Sequence, residues 1–251
     1  MGTQRRVWKI AKFIEVLFKM GQFFLTRSCP LCFSPTPEII CSSCLPKLIY
    51  LSDSVCETCG QIVCDSPDKT DHKSCNQCLR IGFAFDWHRS VLSYEGAAAE
   101  LIQQYKYDNK PFLAPFFASL IHEAHSKYFV GFDYVVPVPL SRERLKQRTY
   151  NQSLEIAKIV AKKNSLTCLY QSLQKIEETA PQAQLSFEQR QKNLNKAFIW
   201  RGSHSLLGKK ILLIDDVFTT GSTLNTCARV LKEGGAQKVG CVTASLTLKK
   251  V

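Results

Sequence analysis

The chain has 251 residues, enough for one sizeable core and a small satellite domain. Hydrophobic residues make up 45% and charged residues 22%, an ordinary globular balance that excludes a disordered or fibrous chain. The formal net charge of +12 favours anionic partners: nucleotides, nucleic acid or acidic lipid.

Residues 7–25 pattern as a helix. Lys9, Lys12, Glu15, Lys19 and Gln22 recur at steps of three or four and share one stripe, while Trp8, Phe13, Ile14, Leu17, Phe18, Phe23 and Phe24 cover the rest. Such a helix packs on its own protein or lies on a membrane surface, and both readings stay open. Lys12, Glu15 and Lys19 interrupt the apolar stretch, no small-residue cleavage site follows, and no run reaches the ~18 apolar residues of a membrane span. The expectation is a cytoplasmic protein with reduced thiols and no transmembrane segment.

Nine of the twelve cysteines fall between residues 29 and 78. Eight form CxxC pairs: Cys29/Cys32, Cys41/Cys44, Cys56/Cys59 and Cys75/Cys78. Two residues between thiols let a tight knuckle aim both sulfurs at one ion, and two knuckles complete a tetrahedral four-cysteine zinc site. The natural arrangement puts the first two knuckles around one zinc and the last two around another; interleaved pairing is the alternative. Closed ligand sets leave no position for a catalytic water, so the sites read as structural. Cys64 and His72 stand apart from this pattern. The polar stretch 65–73 reads as an insert between knuckles.

From about residue 83 helix and strand signals alternate, which predicts a parallel sheet with covering helices. Helices are expected over 97–106, 113–127, 151–163 and 222–233, and strands over 133–138, 166–170, 211–214 and 239–244. Ile211–Ile214 is apolar throughout, as a central parallel strand should be. Asp215 and Asp216 follow, then the small-residue loop Thr219-Thr220-Gly221-Ser222-Thr223, which opens a helix with Leu224, Cys227, Ala228 and Leu231 on its apolar face. A loop of hydroxyl residues at a helix N-terminus attracts phosphate through free N–H groups and the positive helix end. The Walker pattern and its lysine are absent. Two acids at the carboxyl end of a strand suit a sugar diol and a divalent cation; an acidic turn before a hydroxyl N-cap is the plainer alternative.

Ile211–Thr223 resembles the phosphoribosyl-pyrophosphate (PRPP) signature of type I phosphoribosyltransferases: apolar residues, two acids, apolar residues, then T-T-G-x-T. The resemblance implies that Asp215 and Asp216 meet the ribose hydroxyls. Val217, Phe218, Thr219, Thr220, Gly221, Ser222 and Thr223 would complete the PRPP site, the last five holding the 5-phosphate. Over nearly its whole length the chain resembles the ComF/ComFC family of competence-associated proteins. The shared features are the CxxC knuckles; Gln104-Tyr105-Lys106-Tyr107; Val136-Pro137-Val138-Pro139 leading to Arg142, Arg144, Arg148, Asn151 and Gln152; and Gln182, Leu185, Arg190, Asn193, Ala197 and Phe198.

By that resemblance the fold is an α/β, type I phosphoribosyltransferase-like parallel sheet with covering helices, preceded by a small zinc-ribbon module. The expected organisation is an amphipathic helix over 1–28, a double zinc ribbon over 29–82 and a phosphoribosyltransferase-like domain over 83–251. A magnesium-dependent transfer is implied, in which a nucleophile displaces pyrophosphate from PRPP. Arg142, Arg144 and Arg148 form a loop that holds the pyrophosphate, or else a basic turn or a contact to single-stranded DNA. Residues 182–198 form a hood over the site or a plain solvated loop and helix. The family's competence role implies single-stranded DNA and a helicase-like protein as partners, with a non-catalytic DNA-handling or docking factor as the competing reading. In one place the sequence departs from the family: R-G-F-N-Q is here Arg148-Thr149-Tyr150-Asn151-Gln152, and threonine resists the positive φ that glycine allows.

Overall fold

The computed structural model describes residues 27–51, 54–62, 75–176 and 197–248. The helix expected over 7–25, Cys64, His72 and residues 182–196 of the expected arm lie outside them. In chain order the elements are β1 (Arg27–Ser28), β2 (Pro35–Thr36), α1 (Asn76–Ile81), β3 (Trp87–Ser93), α2 (Gly96–Tyr107), α3 (Ala114–His125), β4 (Tyr134–Pro137), α4 (Arg142–Arg148), α5 (Gln152–Lys163), β5 (Thr167–Cys168), β6 (Leu173–Lys175), β7 (Phe198–Trp200), β8 (Lys210–Phe218), α6 (Ser222–Glu233) and β9 (Lys238–Leu246).

Five strands pair in the order β3-β9-β8-β4-β5, every pairing parallel. β8 sits at the centre, and Ile211, Leu212, Leu213 and Ile214 are all fully buried. Their side chains alternate between faces, as strand geometry requires. Leu212 and Ile214 join a core with Leu101, Ile102 and Tyr105 of α2, Phe117 and Ile121 of α3, and Ile156 and Val160 of α5. Ile211 and Leu213 join Leu224, Cys227, Ala228 and Leu231 of α6. Helices on both faces explain why this strand is apolar throughout.

Local chemistry sets the helix ends. Asn151 caps α5 by accepting from Leu154 N at 3.3 Å, and its Nδ2 donates to Val138 O at 3.0 Å. Ser141 caps α4 by accepting from Arg144 N. These caps satisfy otherwise orphaned N–H groups.

The structure departs from the sequence expectations in three places. β8 runs four residues past Ile214, because the backbone of 215–218 keeps pairing with the equally long β9, Asp215 with Thr243 and Phe218 with Leu246. Both acids therefore belong to the strand. Residues 142–148 form a helix, not a loop. β3 and the antiparallel pair β6–β7 were not anticipated.

The cysteine region folds as paired knuckles. Phe33 N donates to Cys29 O, and Gly60 N donates to Cys56 O. In these two knuckles the residue after the second cysteine takes a left-handed backbone, Phe33 at φ 62° and Gly60 at φ 71°. No helix among the described residues is long and apolar enough to cross a membrane.

A Cβ on Gly240 of β9 would lie 2.4 Å from Trp87 Cζ2 and 3.0 Å from Phe132 Cζ. Gly240→Ala is expected to destabilise the fold by about 1–3 kcal/mol, the usual cost of overpacking. A urea transition with an unshifted midpoint would contradict this packing.

Candidate functional site at the carboxyl edge of the sheet

Asp215 and Asp216 lie near the end of β8, and residues 219–221 join them to α6. Gly221 is the N-cap of α6 at φ 80°, a left-handed conformation that suits glycine. A Cβ there would lie 2.6 Å from Phe218 Cζ and 3.0 Å from Phe83 Cε1. Gly221 has no side chain to cap this helix, and Thr220 Oγ1 accepts from Ser222 N at 3.4 Å. Thr219, Thr220, Ser222 and Thr223 are exposed around it, and Thr220 Oγ1 sits 3.0 Å from Ser222 Oγ. The expected anion cradle thus has exposed hydroxyls around a helix N-terminus whose N-cap is a glycine.

The acid pair has its own partners. Asp216 is buried, and its Oδ1 lies 2.8 Å from Lys106 Nζ of α2. Asp215 is half-buried; its Oδ1 accepts from Ser153 Oγ at 2.7 Å and from Asp216 N at 2.9 Å. Burial, and then the neighbouring Asp216 carboxylate, push the Asp215 carboxyl up to about 7.

Of the expected arginines, Arg142 and Arg144 lie on the exposed surface of α4, while Arg148 is half-buried. Arg148 donates to Gln152 Oε1 and to Tyr107 Oη, each at 3.3 Å, and its guanidinium sits 5.1 Å from the Tyr107 ring centroid. Tyr107 follows Lys106, so the basic helix and the acid pair meet through the end of α2. Thr149 takes φ 63°, the conformation glycine would favour there. Its Oγ1 donates within reach of Asn109 Oδ1 at 2.9 Å and Arg148 O at 2.6 Å. The backbone path is thus compatible with threonine, whose single hydroxyl proton has two acceptors in reach that glycine could not use.

The cysteines gather as two sets: Cys29, Cys32, Cys41 and Cys44, and Cys56, Cys59, Cys75 and Cys78, each with sulfurs within 4.8 Å of one another. The pairing is first-two and last-two, not interleaved. Sulfur–sulfur distances of 3.6 Å for Cys32–Cys41, 3.7 Å for Cys56–Cys78 and 3.6 Å for Cys59–Cys75 exclude disulfides between these pairs. A tetrahedron with Zn–S bonds of about 2.3 Å has edges of about 3.8 Å, so both sets fit a metal ion of that kind.

Each set touches the acid site through protein. Gln104 Nε2 of α2 donates to Pro30 O in the first set at 3.0 Å. On the other side, buried His88 bonds Cys59 O through Nδ1 at 2.7 Å and Thr243 Oγ1 through Nε2 at 3.0 Å, and its ring stacks on Phe218 at 4.1 Å. A carbonyl only accepts, so Nδ1 carries the proton. Burial pushes His88 down to about 3, keeping it neutral. Ala84 N donates to Asn225 Oδ1 of α6 at 2.6 Å. Sequence reasoning missed Ser153, Phe83 and His88, and quoted Lys106 only within a motif.

Residues 151–248 match the family described as Phosphoribosyl transferase domain. A phosphoribosyl transferase-type sheet preceded by paired cysteine knuckles is the class that fold and site define. DNA utilization protein YhgH of Salmonella typhimurium is 30% identical over 207 residues, 80% of this chain and 87% of that protein. Competence protein ComFC of Streptococcus pneumoniae is 29% identical over 219 residues, 86% of this chain and 91% of that protein. The solved structure titled "Structure of the allosteric regulatory enzyme of purine biosynthesis" overlaps 56% of this chain and 29% of its own, with 18% identity and a TM-score of 0.41. The chain belongs to the ComF/ComFC family.

An unfolded aspartate loses its proton near pH 3.9, roughly three units below folded Asp215, so this group's contribution to stability falls as pH rises from about 4 to 7. Asp215→Asn keeps an Oδ1 acceptor for Ser153 and Asp216 but does not titrate. Relative to the parent, its Tm is expected to rise by several degrees at about pH 8, with the gap narrowing by about pH 5 and closing only near about pH 4 and below. An equal offset at both pH values would contradict the raised carboxyl.

Proposed function

We propose that the chain binds PRPP at the carboxyl edge of the sheet, with zinc in both cysteine sets, and that it serves DNA uptake or utilization as a phosphoribosyltransferase-like protein. The observation that carries the reading is the continuity of β8, the two acids near its carboxyl end, the 219–223 loop and the start of α6. It combines acceptors suited to a ribose diol with N–H and hydroxyl donors suited to a phosphate. The biological setting rests on relatives named for competence and DNA utilization.

In the reaction of this fold, the bond between the anomeric carbon and the pyrophosphate oxygen breaks, the leaving group takes the electron pair, and a nucleophile bonds to that carbon. The protein's part is to orient ribose through Asp215 and Asp216, hold the 5-phosphate on 219–223 and present cations to the departing pyrophosphate. Arg142, Arg144 and Arg148 are the cations proposed for that end. Among the described residues the groups of three or more metal-ligating side chains are the two cysteine sets. A magnesium ion bound with PRPP would supply charge neutralisation on the leaving group, and Asp215 and Asp216 are the carboxylates that would stand nearest it.

Elemental analysis of protein purified without chelator is expected to give about two zinc ions per chain, one for each cysteine set. Cys56→Ser is expected to lower that count and the Tm together; a parent free of zinc would overturn the metal assignment. Calorimetric titration of PRPP with magnesium is expected to show binding by the parent and none by the Asp215→Asn/Asp216→Asn variant. A folded, zinc-loaded parent that binds no PRPP would overturn the ligand assignment and turn attention to α4 as a contact for single-stranded DNA.

A further inference from the structure

Lys106 is placed too carefully to be a surface charge. Its Nζ lies 2.8 Å from Asp216 Oδ1, with the two side chains only 15% and 9% exposed. The pairs Lys158–Glu155, Lys209–Asp133 and Lys232–Asp86 are all more open to water.

The end of α2 is anchored residue by residue. Tyr105, fully buried, donates its hydroxyl to Gln152 O at 2.8 Å, and Tyr150 donates its hydroxyl to Tyr105 O. Gln104 reaches Pro30 O and accepts from Lys110 Nζ at 2.7 Å. Between these anchors a lysine side chain loses most of its rotamer freedom, and its ammonium is delivered to one carboxylate oxygen.

A divalent ion beside two carboxylates does two things: it balances their charge and it fixes their direction. A tethered ammonium at 2.8 Å supplies both to Asp216 without being drawn from solution. It also leaves the second oxygen of Asp216 outside the ion pair. We propose that Lys106 is the resident cation of the acid pair. It balances the charge of Asp216 and holds that carboxylate oriented to accept from the ribose hydroxyls, so that recognition of the sugar does not wait for magnesium. This rests on the PRPP reading above and deepens it. The divalent ion is then needed at the pyrophosphate end alone, and the site divides its cations by function: a fixed lysine for ribose, exchangeable magnesium and arginines for the leaving group. Lys106 is in this sense a positioning residue, acting through Asp216.

The test is calorimetric titration of the full, zinc-loaded chain with PRPP, with and without magnesium and with no chelator present. The parent, Lys106→Met and Lys106→Arg are compared, each first shown to unfold cooperatively. The parent is expected to keep PRPP binding without magnesium, weakened by no more than about tenfold. Lys106→Met is expected to lose a further tenfold or more without magnesium and to recover to within about threefold of the parent when magnesium is saturating. Lys106→Arg, which keeps the charge, should track the parent.

Three outcomes overturn the proposal. Lys106→Met could match the parent at both magnesium levels. It could be weakened equally at both, as a merely structural role would dictate. It could also bind more tightly than the parent, which would make the lysine a competitor for Asp216. A parent that binds no PRPP even with magnesium overturns the site assignment itself, a failure distinct from these three.

Discussion

Two adjacent carboxylates at the end of a strand buried on both faces are the constraint around which this molecule is arranged. Unpaired charges in such a place are costly, and two of like sign more so. Relief comes from different directions. Lys106 meets Asp216 from α2, while Ser153 and a backbone N–H meet Asp215 from α5 and β8. These contacts do not offset burial entirely, and Asp215 holds its proton up to about 7. In the PRPP reading proposed above, the ligand's hydroxyls would complete the hydrogen bonding of this acid pair.

The cysteine knuckles support the same edge from two sides. The first set reaches α2 through the Gln104–Pro30 bond, two residues from Lys106. The second set reaches the 219–221 loop through His88, Phe218 and Phe83. His88 is the joint: one ring nitrogen bonds the backbone of a cysteine in the second set, the other a hydroxyl of β9, and its face rests on Phe218. Gly221 is then confined between Phe218 and Phe83, which leaves no room for a side chain. The module is continuous with the cores on both faces of the sheet: Cys29 and Cys44 belong to one, and Cys56, Cys59 and Cys78 to the other.

Much of this was legible in the sequence, for identifiable reasons. Ile211–Ile214 followed by acids and a hydroxyl loop could be read because burial on both faces leaves a continuous apolar run, and a helix start leaves a signature. CxxC spacing is local geometry, so the knuckles were visible, while their pairing needed the fold. β3 was invisible because His88, Ser90 and Ser93 break the apolar pattern. His88 and Ser90 are accommodated by a network with Thr243 on the neighbouring strand, 153 residues from Ser90. No local rule anticipates that partner. Lys106 stood in a recognised motif, but its meaning depends on Asp216, which only tertiary structure brings near.

Thr149 shows how a departure from family pattern is absorbed. A β-branched residue at positive φ is disfavoured by roughly 1–3 kcal/mol. Here its hydroxyl reaches Asn109 Oδ1, and Asn109 itself sits at φ 50°. Two left-handed residues, one after α2 and one after α4, are thus linked by a side-chain hydrogen bond. The link adds to the Arg148–Tyr107 stack, so α4, with no buried residue of its own, is tied to the end of α2 at two points. Glycine would relieve the backbone strain but remove one tie. A basic helix with no core of its own keeps its place through such ties, and that fixes where its arginines stand relative to Lys106 and the acid pair.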